Sequence, residues 1–107
     1  MAIPHAAPGQ IVDILGSSVP SALTLALFKS SELEVMRLIL PAGKAVPSHR
    51  VLGEITVQCL EGSFEITLEG RTQVMRAGQL VHLSGGAQHG FFALEDTSAL
   101  VTIVLRK

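Results

Sequence analysis

The feature that most constrains the fold is an alternation of apolar and polar residues that runs into a glycine. From residue 64 to residue 69, apolar side chains occupy every second position: Phe64, Ile66 and Leu68. Alternation with a period of two is typical of a β-strand that buries one face. Gly70 follows directly, and glycine adopts the positive φ of a tight hairpin turn without strain. The segment therefore predicts an antiparallel hairpin packed against a core.

Short apolar runs of the same kind recur along the whole chain. The runs are QIVDIL, ALTLALF, LEVMRLIL, EITVQCL, SFEITL, TQVMR, QLVHL, HGFFAL and ALVTIVL, and short turn segments, mostly containing glycine or serine, separate them. Runs of this length that are rich in Val, Ile, Leu and Thr indicate strands. ALTLALF also fits a helical stripe, but no residue caps a helix end and the turn after it is short, which favours a strand. The regular spacing predicts an all-β sandwich or barrel.

Composition suggests that part of the surface is covered. The chain has 107 residues, which fits one domain, and its hydrophobic fraction is 48% against only 16% charged residues. In the last run both faces of the strand are largely apolar, with Val101 and Ile103 on one face and Leu100, Thr102 and Val104 on the other. The barrel interior covers one face, and we expect a second copy of the chain to cover the other, as a homodimer.

Charge and cysteine content exclude several classes of partner. The net charge is −1 and the basic residues are scattered, so we expect no nucleic acid and no membrane surface as a partner. The single cysteine, Cys59, excludes an intramolecular disulfide and favours a reducing compartment. The N-terminal segment lacks the positive start and apolar run of a signal peptide. We therefore expect a cytoplasmic protein.

Two segments, residues 43–62 and 78–93, resemble the two motifs of the cupin family. The first motif is G-x5-H-x-H-x3,4-E-x6-G, and this chain has Gly43, His49 and Gly62 at the corresponding positions. The second is G-x5-P-x-G-x2-H-x3-N, and this chain keeps every interval from Gly78 to His89, with Ser84 in place of the proline and Ala93 in place of the asparagine. The resemblance implies an RmlC-like double-stranded β-helix, a jelly-roll barrel. It also implies one cupin domain over residues 1–107 with a tail at 1–9, often a dimer, and any metal inside the barrel.

The departures from the first motif bear on chemistry. Val51 stands where the family has its second histidine, and Ile55 stands where it has its carboxylate, with Glu54 one position early. His49 and His89 are thus the candidate metal ligands that remain of the usual four. Because structural and catalytic sites commonly use at least three protein ligands, the pair predicts at most weak binding of iron, manganese, nickel or zinc. Glu54 becomes a third candidate ligand if a bulge at residues 52–53 turns it inward, although strand alternation with Ile55 inward places it outside.

An apolar pocket is expected beside the two histidines. Its predicted lining is Val51, Ile55, Val57, Phe64 and Phe91. Such a lining with two polar groups suits a small, mostly apolar molecule, which makes small-molecule binding the first hypothesis. A metal-dependent dioxygenase or isomerase acting on a small metabolite is the alternative, and a third metal ligand beside the two histidines would distinguish it. A metal-free structural barrel is the second alternative, and an interior filled by side chains would distinguish it.

Overall fold

The computed structural model describes residues 5–15 and 24–106, and within these ranges every regular element is a β-strand. The strands are β1 (Leu25–Lys29), β2 (Leu33–Leu40), β3 (Ala45–His49), β4 (Ile55–Glu61), β5 (Ser63–Leu68), β6 (Arg71–Arg76), β7 (Leu80–Leu83), β8 (His89–Ala93) and β9 (Thr97–Val104). The predicted all-β class is confirmed. The described part of the chain contains no helix long and apolar enough to cross a membrane.

The predicted strands are confirmed with two exceptions. QIVDIL was predicted as a strand, and this is wrong, because residues 10–15 join no sheet and Ile11 is 92% exposed. The first two residues of ALTLALF lie outside the described residues, and its remainder forms most of β1. β3 was missed, because its sequence AVPSH contains Pro47, which cannot donate to a ladder. Pro47 is tolerated there because β3 is an edge strand and its pairing is irregular between Val46 and His49.

Two antiparallel sheets face each other. One has five strands in the order β1-β2-β9-β4-β7, and the other has four in the order β3-β8-β5-β6. Alternate side chains of each sheet point into the space between them, as in β4, where Ile55, Val57 and Cys59 are buried and the residues between them are partly exposed. The core is therefore formed by every second residue along the strands, as the alternation in the sequence predicts.

The hairpin between β5 and β6 forms as the alternation predicts. Leu68 pairs with Arg71, so only Glu69 and Gly70 form the loop. Both have positive φ, 49° and 82°, which matches the twist of a two-residue type I′ turn. On the outward face the hydroxyls of Thr67 and Thr72 lie 3.0 Å apart in a hydrogen bond. The residues that alternate with these threonines on β5 and β6 therefore face the five-stranded sheet.

The outer face of the five-stranded sheet holds a buried arginine. Arg37 is 6% exposed; its Nε donates to Ser98 Oγ at 3.0 Å, and its Nη2 lies 3.5 Å from Glu61 Oε1. On β9 the outward-facing Leu100 and Val104 are half-buried. This face thus combines apolar side chains with a buried arginine that is paired with Glu61 and Ser98.

Candidate functional site

Pairing of β3 with β8 brings the two predicted histidines together. His49 and His89 are direct partners across the two strands, although they come from motifs 40 residues apart in sequence. Their ring centroids lie 4.4 Å apart and the rings are tilted by 54°. The sequence prediction that these two residues share one place in the barrel agrees with this geometry.

The two rings differ in their surroundings. His49 is exposed, whereas His89 is only 3% exposed and its ring centroid lies 5.6 Å from that of Phe91. Burial lowers the pKa of His89 below its usual value of 6.5; a hydrogen bond to the Ala87 carbonyl opposes this effect, and the neighbouring His49 adds to it. His89 is therefore neutral at neutral pH.

Backbone carbonyls determine which nitrogen of each ring carries the proton. His49 Nδ1 lies 3.1 Å from the Pro47 carbonyl oxygen, and His89 Nδ1 lies 3.1 Å from the Ala87 carbonyl oxygen. Because a carbonyl oxygen only accepts, each Nδ1 must donate its hydrogen. In the neutral state each Nε2 is then left with a free lone pair. The site offers two such acceptors, one on each of two adjacent strands.

The loops beside the histidines are held close to each other. Gly86 N donates to the Val51 carbonyl oxygen at 2.8 Å. A Cβ on Gly85 would lie 2.4 Å from the Leu52 carbonyl oxygen, so only glycine permits this approach. Arg50 Nη2 also donates to Gln88 Oε1, at 3.4 Å. Sequence reasoning missed Arg50 and Gln88 as neighbours of the site, and their positions next to His49 and His89 were the available signal.

Glu54 does not join the two histidines. Its Oε1 lies 2.7 Å from His82 Nε2, and both side chains are more than half exposed on the outer face of the five-stranded sheet. The reason is strand alternation: Ile55 faces the core, so its neighbour Glu54 faces away, toward His82 on β7. The inward rotation that a bulge at residues 52–53 would have produced is not seen, because the Glu54 carboxylate contacts His82 on the outer face.

The residues predicted to line a pocket lie together behind the histidines. Four of the five are buried core residues: Ile55, Val57, Phe64 and Phe91. The fifth, Val51, packs partly buried against them. Phe64 and Phe91 meet edge to face, with centroids 5.5 Å apart and an angle of 86°. These side chains pack against one another, so they form an apolar floor behind the two imidazoles.

The donor set is incomplete for a tightly held metal. Within residues 5–15 and 24–106 no three His, Cys, Asp or Glu side chains lie close enough to hold one ion. Two imidazole Nε2 atoms are suitable ligands for a divalent first-row metal, but tight sites add at least one more protein donor. The residues present therefore do not fit a firmly bound metal, and we derive no chemical step through one.

Comparisons with known proteins agree on the fold. Solved structures with similar folds include a conserved protein of unknown function from Streptococcus pyogenes, at 22% identity, TM-score 0.79, and coverage of 100% of this chain and 96% of that one. A cupin superfamily protein from Desulfitobacterium hafniense DCB-2 has 14% identity and TM-score 0.77, with coverage of 86% and 84%. A variant of salicylate 1,2-dioxygenase from Pseudoaminobacter salicylatoxidans has 17% identity and TM-score 0.65, with coverage of 67% of this chain and 21% of that one. No curated protein matches the chain.

At these identities the structural similarities show the fold alone. The sequence profile described as Cupin domain (Cupin_2) matches residues 36–105. This range includes both motif segments and extends from β2 through β9, and so covers well over half of the chain. Together with the two antiparallel sheets, the match confirms the resemblance found in the sequence. The chain belongs to the cupin domain family, with an all-β jelly-roll fold.

Proposed function

We propose that this cupin binds a small molecule at His49 and His89 and holds a divalent metal at most weakly. The observation that supports the proposal is the pair of imidazole rings with centroids 4.4 Å apart, each with its Nδ1 committed to a backbone carbonyl. Two free Nε2 acceptors with an apolar floor behind them make a directional site for a ligand. The proposal treats residues 1–107 as one domain carrying this one site.

The acceptor pair restricts the chemistry of the ligand. Neutral imidazoles with free Nε2 lone pairs bind groups that donate hydrogen bonds, such as two neighbouring hydroxyls or an ammonium group. A carboxylate or phosphate offers acceptors, so it would not pair with the unprotonated Nε2 of His89, and burial disfavours protonation of that ring. The ligand is therefore an uncharged or cationic donor with an apolar part that rests against Phe91.

A histidine-selective ¹⁵N NMR titration tests this proposal. Catechol serves as the probe because it carries two neighbouring hydroxyls on an apolar ring, and 1,2-dimethoxybenzene is its control because both donors are blocked. We expect catechol to shift the Nε2 signals of His49 and His89 and the control to leave them unchanged. His82, which is exposed and paired with Glu54, is the internal reference. An equal response of His82, or an equal effect of the control compound, would contradict the proposal.

A metal-dependent enzyme is the second candidate function. The observation in its favour is the same acceptor pair, because imidazole Nε2 is a common ligand of iron, manganese, nickel and zinc. Glu54 is engaged with His82, so a third ligand would have to come from water or from the substrate itself. A metal-free structural barrel is the remaining interpretation, and the packing of Phe64 against Phe91 supports it. Failure of catechol and of metals alike to bind would favour this last interpretation.

The proposal includes a homodimer in the cytoplasm. Half-buried Leu100 and Val104 on the outer face of β9 support an apolar contact between two copies. The buried free thiol of Cys59 supports a reducing compartment. Sedimentation velocity of the wild type and of Val104→Asp tests the contact, because an aspartate buried between two copies without a partner would dissociate them. A monomeric wild type would contradict this part of the proposal.

A further inference from the structure

A second cavity lies on the side of the barrel between the two sheets. It has a volume of about 350 Å³ and opens between β6 and β7, the edge strands of the four- and five-stranded sheets. Its lining residues are Ile66, Gln73, Val74, Met75, Gln79, Leu80 and Val81. None of them belongs to the histidine site, so the cavity needs an explanation of its own.

The inner wall of the cavity is apolar and firmly placed. Ile66 and Met75 are 1% and 5% exposed and belong to the packed core, and Val81 packs against that core. Leu80 and Val74 stand at the rim with exposed fractions of 65% and 37%. The side chains at the back therefore have little freedom to collapse into the space, while the rim offers apolar contact area to an incoming molecule.

Two carboxamides, those of the exposed Gln73 and of Gln79, line this cavity, and Gln73 is the less engaged of the two. Gln73 pairs with Ile66 across the β5–β6 hairpin, and the neighbouring Thr67–Thr72 pair points outward, so Gln73 stands on the inward side. No hydrogen bond of the Gln73 carboxamide is found within the described ranges, whereas Gln79 Oε1 accepts from the backbone N–H of Arg76 at 2.8 Å. Gln73 thus keeps both a donor and an acceptor for a ligand.

The lining also excludes charged ligands. No Asp, Glu, Lys, Arg or His is among the seven lining residues, so a charged group would lose its hydration without gaining a counter-charge. The volume lies at the lower end of the range for small-molecule pockets. We infer that this cavity is a second binding site, for a small uncharged molecule with a flat apolar body and an amide or a similar group that both donates and accepts.

Benzamide is a suitable probe because it has this chemistry at the right size. Toluene lacks the polar group and benzoate replaces the amide with a charge. In ¹H–¹⁵N and methyl NMR spectra we expect benzamide to shift the Gln73 side-chain amide, the Met75 methyl and the Val81 methyls, and to leave the His89 ring unchanged. Gln73→Leu keeps the side-chain length and should weaken benzamide binding about 2- to 13-fold, the loss of one neutral hydrogen bond. Gln88→Leu, an exposed change beside the histidines, is the matched control and should bind benzamide like the wild type.

Four outcomes of the ligand titrations would overturn the inference. They are the absence of any shift in the cavity signals, benzoate binding as tightly as benzamide, unchanged benzamide binding in Gln73→Leu, and shifts confined to the histidines. A change of the cavity signals on diluting the protein alone would also overturn it, because a second copy would then cover the rim. Because the cavity and the histidine site share no lining residue, benzamide can fail here while catechol succeeds there, and the converse also holds.

Discussion

Replacing Phe64 by alanine should cost more stability than any other single truncation in the core. Phe64 is the largest fully buried side chain, at 0% exposed, and it meets Phe91 edge to face at 5.5 Å. Truncating a buried phenylalanine costs about 3–5 kcal/mol, which includes the residual cavity. A domain of this size is stable by only about 5–15 kcal/mol, so the variant should lose between about a fifth and all of its stability.

Urea unfolding followed by circular dichroism measures this loss directly. The midpoint should fall while the m-value stays the same, and Tm should fall by at least about 12 °C. Phe92→Ala is the matched control, because Phe92 is the next residue to Phe91 on β8 but is 41% exposed on the outward face. It should cost less than about 1 kcal/mol. Equal losses in the two variants, or a loss below about 1 kcal/mol for Phe64→Ala, would refute the assignment of inward and outward faces.

Three further predictions follow from single sites. Because burial lowers the pKa of His89, the unfolded chain binds more protons than the folded chain just below pH 6.5. The free energy of unfolding should therefore fall from pH 7 to pH 5, and His89→Gln should reduce that fall. An equal fall in both proteins would contradict this prediction. In urea unfolding, Gly62→Ala should destabilise the protein far more than Gly43→Ala. Both glycines have positive φ, but of the two only Gly62 would bring a Cβ against a backbone oxygen, at 2.2 Å. Equal losses of stability in the two variants would be the contrary result. Cys59 is fully buried, and burial raises the pKa of its thiol. Iodoacetamide should therefore label it only after unfolding, which mass spectrometry can follow. Rapid labelling of the folded protein would disprove this prediction.

Most of the sheet architecture could be predicted from residue patterns, because burial of one face imposes a period of two. The hairpin was predictable from Gly70, because glycine adopts a positive φ without strain, whereas nothing in the sequence predicted the positive φ of Glu69. β3 was not predictable, because Pro47 makes its sequence unlike a strand and only the partner β8 makes it one. QIVDIL failed for the opposite reason: it has the composition of a strand but no partner in either sheet.

The contacts on the outer face of the five-stranded sheet could not be predicted from the sequence either. Arg37 stands between Met36 and Leu38, and this local pattern does not show whether the arginine is buried or solvated. Its burial depends on Ser98 and Glu61, which come from distant strands and meet it only in the folded sheet. Contacts of this kind join residues far apart in sequence, and no local pattern reports them.

The candidate site was predictable in its residues but not in its chemistry. Motif spacing identified His49 and His89, and the fold pairs them directly. The spacing could not show that each Nδ1 donates to a carbonyl two residues earlier, which is what leaves the lone pair of each neutral Nε2 free. It also left Glu54 open as a ligand, and only the folded structure shows that His82 on β7 engages it.

Metal content is the measurement that tests the central claim most directly. Untagged protein is incubated in turn with iron, manganese, nickel and zinc, excess metal is removed, and the retained metal is counted by mass spectrometry, with His49→Ala and His89→Ala in parallel. Because the site offers two protein ligands and Glu54 is engaged with His82, we expect far less than stoichiometric metal on the wild type. A stoichiometric amount of one metal, lost in both variants, would contradict the account and establish a complete metal site.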